Sequence, residues 1–336
     1  MKIAHIRERN APAGTGWRLA AARDAAATRW LDLEDARRGL LVEDPARAHN
    51  SALFRQPLTT LDDLLARGLR VAVLAEILEG YAAATDDDEA ILDASDLEFG
   101  PPILRPPTFR DFYAFERHVG TMWKRRDMEI PEAWYRLPIF YFSNVSEIRG
   151  PGDPVWAPRG STELDYELEV AALVDTTVRD LDAARAEEAI GGYTILNDWS
   201  ARDLQREETS LRLGPAKGKD FASSIGPWLV TPDELADTRR DTGYDLTMTA
   251  SVNGQELSRG TWSSAHFGFG QMVERASADV RLQPGDLIGS GTVGTGCLLE
   301  VRDELLKRYL EPGDTVTLAI ERLGELMSSV VERPGS

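Results

Sequence analysis

Short apolar runs separated by glycine- and proline-bearing turns fill the later part of the chain and predict many short strands. The segment Leu164-Asp165-Tyr166-Glu167-Leu168-Glu169-Val170 alternates, then runs into the apolar Ala171-Ala172-Leu173-Val174. That pattern predicts a strand entering a core. Side chains two apart share a strand face, so Asp165, Glu167 and Glu169 line up on one side. Further strands are predicted over 137–143, 191–196, 224–230, 246–252 and 286–288, with a closing strand that ends at 320, and Asn253-Gly254 marks a hairpin turn. Helical spacing predicts helices over 60–66, 71–84, 108–118, 179–189 and 269–275. Thr60 and Thr108 stand at the starts of two of them, and Ser200 can cap a short helix with Arg202 and Gln205 on one face. In the leading segment, 2–7, 18–22 and 29–33 predict strands. Gly100-Pro101-Pro102 and Arg105-Pro106-Pro107 then punctuate the chain as a linker. The expected organisation is a small N-terminal α+β domain over 1–105 and a second domain over 106–336, built on a curled, mostly antiparallel sheet. The fold class is mostly β with α (α+β).

Composition narrows the partners. A chain of 336 residues suits two domains of ordinary size, and 42% apolar content permits a sizeable core. No apolar run approaches the ~18 residues of a membrane helix. The first residues carry no apolar signal region, so the expected compartment is the cytoplasm. A net charge of −18 argues against nucleic acid as a partner. An anionic substrate then needs a local basic pocket inside an acidic shell. The acidic run at 85–89 reads as a solvated loop. Cys297 is the single cysteine, which excludes an internal disulfide and a cysteine-based zinc cluster. It reads as a small buried apolar group.

Candidate chemistry concentrates in the second domain. Carboxylates side by side on a strand that runs into a core repel one another, and a hard divalent cation is the simplest compensation. A solvated acidic face is the alternative. In the helix expected over 108–118, Asp111 and His118 are two turns apart and share a face. The basic run Lys124-Arg125-Arg126 reads either as solvated surface or as a lid carrying positive charge. Asp198 ends the strand over 191–196, and Lys217 and Lys219 follow in a glycine-bearing loop. The glycine-rich run over 289–296 does not open a helix in a βαβ unit, so it does not fit a dinucleotide fingerprint. His5 and His49 read as structural, and Trp199, Trp228 and Phe112 as core.

Together these segments resemble the fumarylacetoacetate hydrolase family. The resemblance runs from about 110 to 320 and rests on order and combination. It includes Asp111-Phe112-Tyr113 with His118, Leu137-Pro138 with Tyr141, Gly150-Pro151-Gly152-Asp153 and Leu164-Asp165-Tyr166-Glu167-Leu168-Glu169. Asn197-Asp198-Trp199-Ser200-Ala201-Arg202-Asp203 follows, then Leu213-Gly214-Pro215 leading to Lys219, Gly226-Pro227-Trp228, and Gly291-Thr292 leading to Glu300. The resemblance implies a β-roll catalytic domain behind a small N-terminal domain, and a homodimer. It implies one divalent metal, Mg²⁺, Mn²⁺ or Ca²⁺, held by Asp111, Glu167, Glu169 and Asp198. His118 would be the base, oriented by Glu300. Arg202, Gln205 and Lys219 would line the substrate side, with Tyr113, Tyr141 and Thr292 as further binding residues. An aspartate at 111 is similar to the fumarylacetoacetase-like branch. Smaller relatives carry a His/Glu pair on a short lid, where this chain has Thr121 three after His118. The implied activity is metal-dependent cleavage of a C–C bond in a β-diketo acid, a small anionic keto acid of fumarylacetoacetate or acylpyruvate type, during aromatic-compound breakdown. A decarboxylase or an isomerase of a dicarboxylic keto acid on the same site is the alternative, and a metal-dependent binding protein a third.

Overall fold

The computed structural model describes residues 1–84, 90–301 and 304–335, and the acidic run at 85–89 lies outside them. Among the described residues, one twelve-stranded sheet carries the site. Its central strands are Ser223–Val230, Ile190–Asp198, Leu168–Val174, Leu287–Gly289, Phe109–Phe112 and Phe140–Ser143, in that spatial order. Pairing is antiparallel except between Leu287–Gly289 and Phe109–Phe112, and where Ile148–Arg149 joins Ser223–Val230. The leading segment extends the same sheet: Lys2–Glu8 lies antiparallel to Ser223–Val230, with Ile3 opposite Leu229. No helix among the described residues is long and apolar enough to cross a membrane.

Both faces of the central strands are buried, for different partners. Leu168, Val170, Ala172 and Val174 point into the larger core. There they meet Met248, Ala250, Val316 and Leu318 of a second, four-stranded sheet of Thr247–Val252, Gln255–Thr261, Thr315–Ile320 and Gly324–Ser329. The alternate positions Ala171, Leu173, Leu196 and Leu229 pack with Leu61, Leu64, Val71 and Ile77 of the leading segment. Full burial of each leucine, valine, isoleucine or methionine among these contributes ~1.5–3 kcal/mol, so the sheet is held from both sides. Glu169 shares the second face with Ala171, Asp198 shares it with Leu196, and Asp111 shares it with Phe109. The carboxylates therefore stand where an apolar face reaches its end.

The predicted helix over 108–118 is corrected. Residues Phe109–Phe112 form a strand and the helix is Glu116–Lys124. Phe109 and Phe112 bury on opposite faces of the sheet, so partners distant in sequence overrode a spacing that fits a helix. Asp111 and His118 thus do not share a helix face; one ends a strand and the other rides on a helix. The helix expected over 179–189 is reduced to Ala183–Ala186 and a 3₁₀ turn, capped by Asp182. Thr60 caps Leu61–Ala66 by accepting from the Asp63 amide, as its position predicts. An unpredicted helix, Leu33–Glu43, is capped by Asp32.

Candidate active site

Three strands bring Asp111, Glu169 and Asp198 together. Glu169 stands opposite Leu196, Ala171 opposite Gly289, and Gly289 opposite Asp111. The strand between Glu169 and Asp111 is thus topped by a glycine. A Cβ there would lie 2.3 Å from Asp111 Oδ1, so only glycine lets that carboxylate cross. One oxygen from each of Asp111, Glu169 and Asp198 lies within 4.8 Å of the others. All three residues are buried. Glu169 accepts from the Gly291 amide at 3.0 Å and from Thr292 Oγ1 at 3.2 Å, and Tyr141 donates its hydroxyl to Asp198. Asp111 Oδ1 and Asp198 Oδ1 are buried without a hydrogen-bond partner.

Burial pushes all three carboxyls up. The neighbouring Asp198 adds to this at Asp111, and Asp111 and Glu167 add to it at Glu169. Buried polar oxygens are almost always paired, so two without a partner in one acidic cluster require an explanation. Hard oxygen donors, like charge and unpaired lone pairs suit one hard divalent cation. The donor set fits Mg²⁺, Mn²⁺ or Ca²⁺.

Glu167 stands apart from this trio. Its carboxylate pairs with Lys219 Nζ on one oxygen and with Arg202 Nη2 at 2.8 Å on the other. Burial pushes this group up, but Lys219, Arg202 and His118 outweigh burial and hold it at about 2. Lys219 also donates to Asp198 and so bridges the two carboxylates. Two carboxylates push its ammonium pKa up against the effect of burial. Of the four expected ligands, three converge, while Glu167 is held by cations beside them. Arg202 is occupied as well: Nε meets Asp165 at 2.8 Å and Nη1 meets Gln205 Oε1 at 3.0 Å.

His118 and Glu300 pair, as the resemblance implies. His118 Nδ1 donates to Glu300 Oε2 at 2.9 Å, with the two side chains 5% and 3% exposed. Tyr113 stands edge-on to the imidazole, 5.5 Å between centroids. Burial pushes its phenol pKa up, so it stays a neutral donor. Glu300 rides on the one-turn helix Leu298–Val301. Asp165 accepts from the Leu298 amide at 2.7 Å and the Leu299 amide at 3.0 Å. The strand pattern puts Asp165 in line with the two glutamates, as a fold residue rather than a ligand. Its carboxylate fixes the turn that carries Glu300 and, through Arg202, the side chain of Glu167. Only the run of carboxylates hinted at it, because its amide partners lie more than 130 residues away.

Residues 108–331 match the family model for the fumarylacetoacetate (FAA) hydrolase C-terminal region, which covers every residue of this site. The chain belongs to the fumarylacetoacetate hydrolase family. Among sequence relatives, a putative hydrolase of Burkholderia ambifaria is 36% identical over 57% of this chain and 65% of its own length. A 2,4-didehydro-3-deoxy-L-rhamnonate hydrolase of Sphingomonas sp. is 33% identical over 58% of this chain and 65% of its own. The matched region thus spans just under two thirds of the length of these relatives. Among solved structures, fumarylacetoacetate hydrolase of Exiguobacterium antarcticum shares the fold, with a TM-score of 0.70 at 23% identity over 99% of this chain and 100% of that one. A 5-carboxymethyl-2-hydroxymuconate delta-isomerase of Mycobacterium smegmatis gives 0.64 at 25% identity over 99% and 100%. Hydrolases and isomerases therefore stand on this fold.

Proposed function

We propose that this chain is a divalent-metal-dependent hydrolase that cleaves a C–C bond in a β-diketo acid of fumarylacetoacetate or acylpyruvate type, in the breakdown of aromatic compounds. One observation carries this reading. Three buried carboxylates, two of them with an unpaired oxygen, converge beside a buried His–Glu pair. Asp111, Glu169 and Asp198 would hold the metal, with Glu167 against them through Lys219. A cation there would stabilise the negative charge that develops on a 1,3-dicarbonyl acid as the bond breaks.

The protein residues supply the proton steps. His118 gives its Nδ1 proton to the hydrogen bond with Glu300, which leaves Nε2 free to accept. Nε2 takes a proton from water, and the resulting hydroxide oxygen bonds to the carbonyl carbon. The C–C bond then breaks, and its electron pair takes the proton back from His118. Glu300 stabilises the imidazolium in between. Lys219 keeps a positive charge beside the reacting oxygens, Tyr113 presents a neutral hydroxyl, and Tyr141 orients Asp198 by donating to it. Arg202 acts by fixing Glu167 and Gln205.

Purified protein with Mg²⁺ is expected to consume such a substrate. His118→Ala should lower turnover ~10²–10⁴-fold while Mg²⁺ still binds, and retained turnover in that variant would remove the mechanism. The 25% identical delta-isomerase favours one second reading, isomerisation or decarboxylation of a dicarboxylic keto acid on the same site. Neither needs an attacking water. Turnover in H₂¹⁸O separates the two, because hydrolysis places ¹⁸O in a carboxylate product and isomerisation does not.

A further inference from the structure

A second group of ligating atoms is joined to the carboxylate trio through Glu167, whose backbone pairs with Cys297 and whose carboxylate shares Lys219 with Asp198. One atom each from His118, Cys297 and Glu300 lies within 4.8 Å of the others. Cys297 is fully buried, and its Sγ stands 3.7 Å from Glu300 Oε2. The same Oε2 stands 2.9 Å from His118 Nδ1. We propose that these three side chains form a soft-metal site, selective for Zn²⁺ over Mg²⁺, whose filling disables the His118 base.

The geometry is close to what zinc requires. Zn–S of ~2.3 Å and Zn–N and Zn–O of ~2.0–2.1 Å at tetrahedral angles give S···O near ~3.5 Å and N···O near ~3.3 Å. The two observed separations to Glu300 Oε2 differ from these by a few tenths of an ångström, and the third, from Sγ to the imidazole, is at most 4.8 Å, which side-chain rotation would have to close to near ~3.5 Å. The backbone under the site is fixed. Cys297 pairs with Glu167 in an isolated bridge, and Asp165 holds the amides of Leu298 and Leu299. A chain with one cysteine has no multi-cysteine cluster, but one thiolate among nitrogen and oxygen donors is enough for a three-ligand site with an open fourth position.

Ligand chemistry separates the two sites. Asp111, Glu169 and Asp198 offer only oxygens and suit hard cations. Thiolate and imidazole favour zinc. Charge favours the second site too, because a dication with one thiolate and one carboxylate is neutral overall in a buried place. The proton balance explains the inhibition. The Cys297 thiol releases one proton to solvent as sulfur bonds the metal. Zinc at Nδ1 displaces the proton shared with Glu300, which moves to Nε2. The nitrogen that accepts from water is then capped.

The inhibition rests on the hydrolase reading above; the site itself does not. The full chain, kept in saturating Mg²⁺, is titrated with Co²⁺ as a spectroscopic probe. A near-ultraviolet thiolate-to-cobalt band is expected, displaced by one equivalent of Zn²⁺. With a single cysteine, that band has one source. Cys297→Ser and Cys297→Ala should both lack it. In turnover assays, Zn²⁺ should inhibit the wild type at least tenfold more tightly than either variant, each measured against its own uninhibited rate. No thiolate band in the wild-type protein overturns the proposal without reference to any variant. Equal Zn²⁺ inhibition of wild type and variants also overturns it, since zinc would then act at the carboxylates. A band without any keto-acid hydrolysis would leave the soft site standing and remove the hydrolase reading instead.

Discussion

Asp165 illustrates how one buried side chain sets the geometry of two others. Its oxygens are shared among the Leu298 amide, the Leu299 amide and Arg202 Nε. Arg202 in turn reaches Glu167, and the Leu298 turn carries Glu300. Asp165→Asn keeps the shape but turns one acceptor into a donor, facing either an N–H or a guanidinium. Turnover should fall ~10–100-fold, as when an orienting partner is removed from a ligand. Mg²⁺ affinity should stay within a few-fold, because Asp165 lies outside the converging trio. Steady-state rates and calorimetric Mg²⁺ titration read the two separately. Unchanged turnover would contradict the positioning role.

Among the elements, the strand Leu287–Gly289 decides whether the carboxylates can meet. Gly289→Ala places a methyl 2.3 Å from Asp111 Oδ1 and 3.0 Å from Leu196 Cδ2, in a wall that cannot give on both sides. Mg²⁺ affinity should fall at least tenfold, with the circular dichroism spectrum unchanged. Gly39→Ala, in the helix Leu33–Glu43 with no neighbour near the new methyl, is the control and should leave Mg²⁺ binding as it was. An equal Mg²⁺ affinity in Gly289→Ala would mean that Asp111 does not need to cross that strand. Elements with strong apolar runs, such as Leu168–Val174 and Ile190–Asp198, were legible in the sequence because burial on both faces leaves few polar positions. The strand Phe109–Phe112 was not, since its apolar spacing also fits a helix and its partners, Leu287–Gly289 and Phe140–Ser143, are remote in the chain. The acidic trio could be named from the family resemblance. The separation of Glu167 from it could not, because that depends on where Lys219 and Arg202 end up in space.

At the scale of the whole molecule, His5 ties the leading segment to the sheet. Nδ1 donates to the Pro101 carbonyl at 2.8 Å, and Nε2 accepts from the Leu61 amide at 2.9 Å. The bond from Leu61 needs a neutral imidazole, because a protonated Nε2 cannot accept, whereas the bond to Pro101 survives protonation. Burial pushes its pKa below 6.5 against the opposing pull of the Pro101 carbonyl and of Asp62 and Asp63. A lowered pKa in the folded state means that the unfolded chain binds the proton more tightly. The stabilisation from His5 is then complete above about 6.5 and drains away as pH falls through that value. His5→Asn keeps a donor for Pro101 but does not titrate. The stability advantage of wild type over this variant, measured by urea unfolding, should shrink from pH 7.5 to pH 5.5 (on the order of two pH units across the unfolded value). An advantage that grows on acidification would contradict the assignment.

The central claim is that strands from distant parts of the chain bring three carboxylates around one cation beside an imidazole. Diffraction from a Mn²⁺-soaked crystal, recorded for anomalous scattering, addresses it directly. One strong peak is expected within coordination distance of Asp111, Glu169 and Asp198, with the His118 ring facing the same cavity. An empty trio at saturating Mn²⁺, or a peak held by other residues, would contradict it.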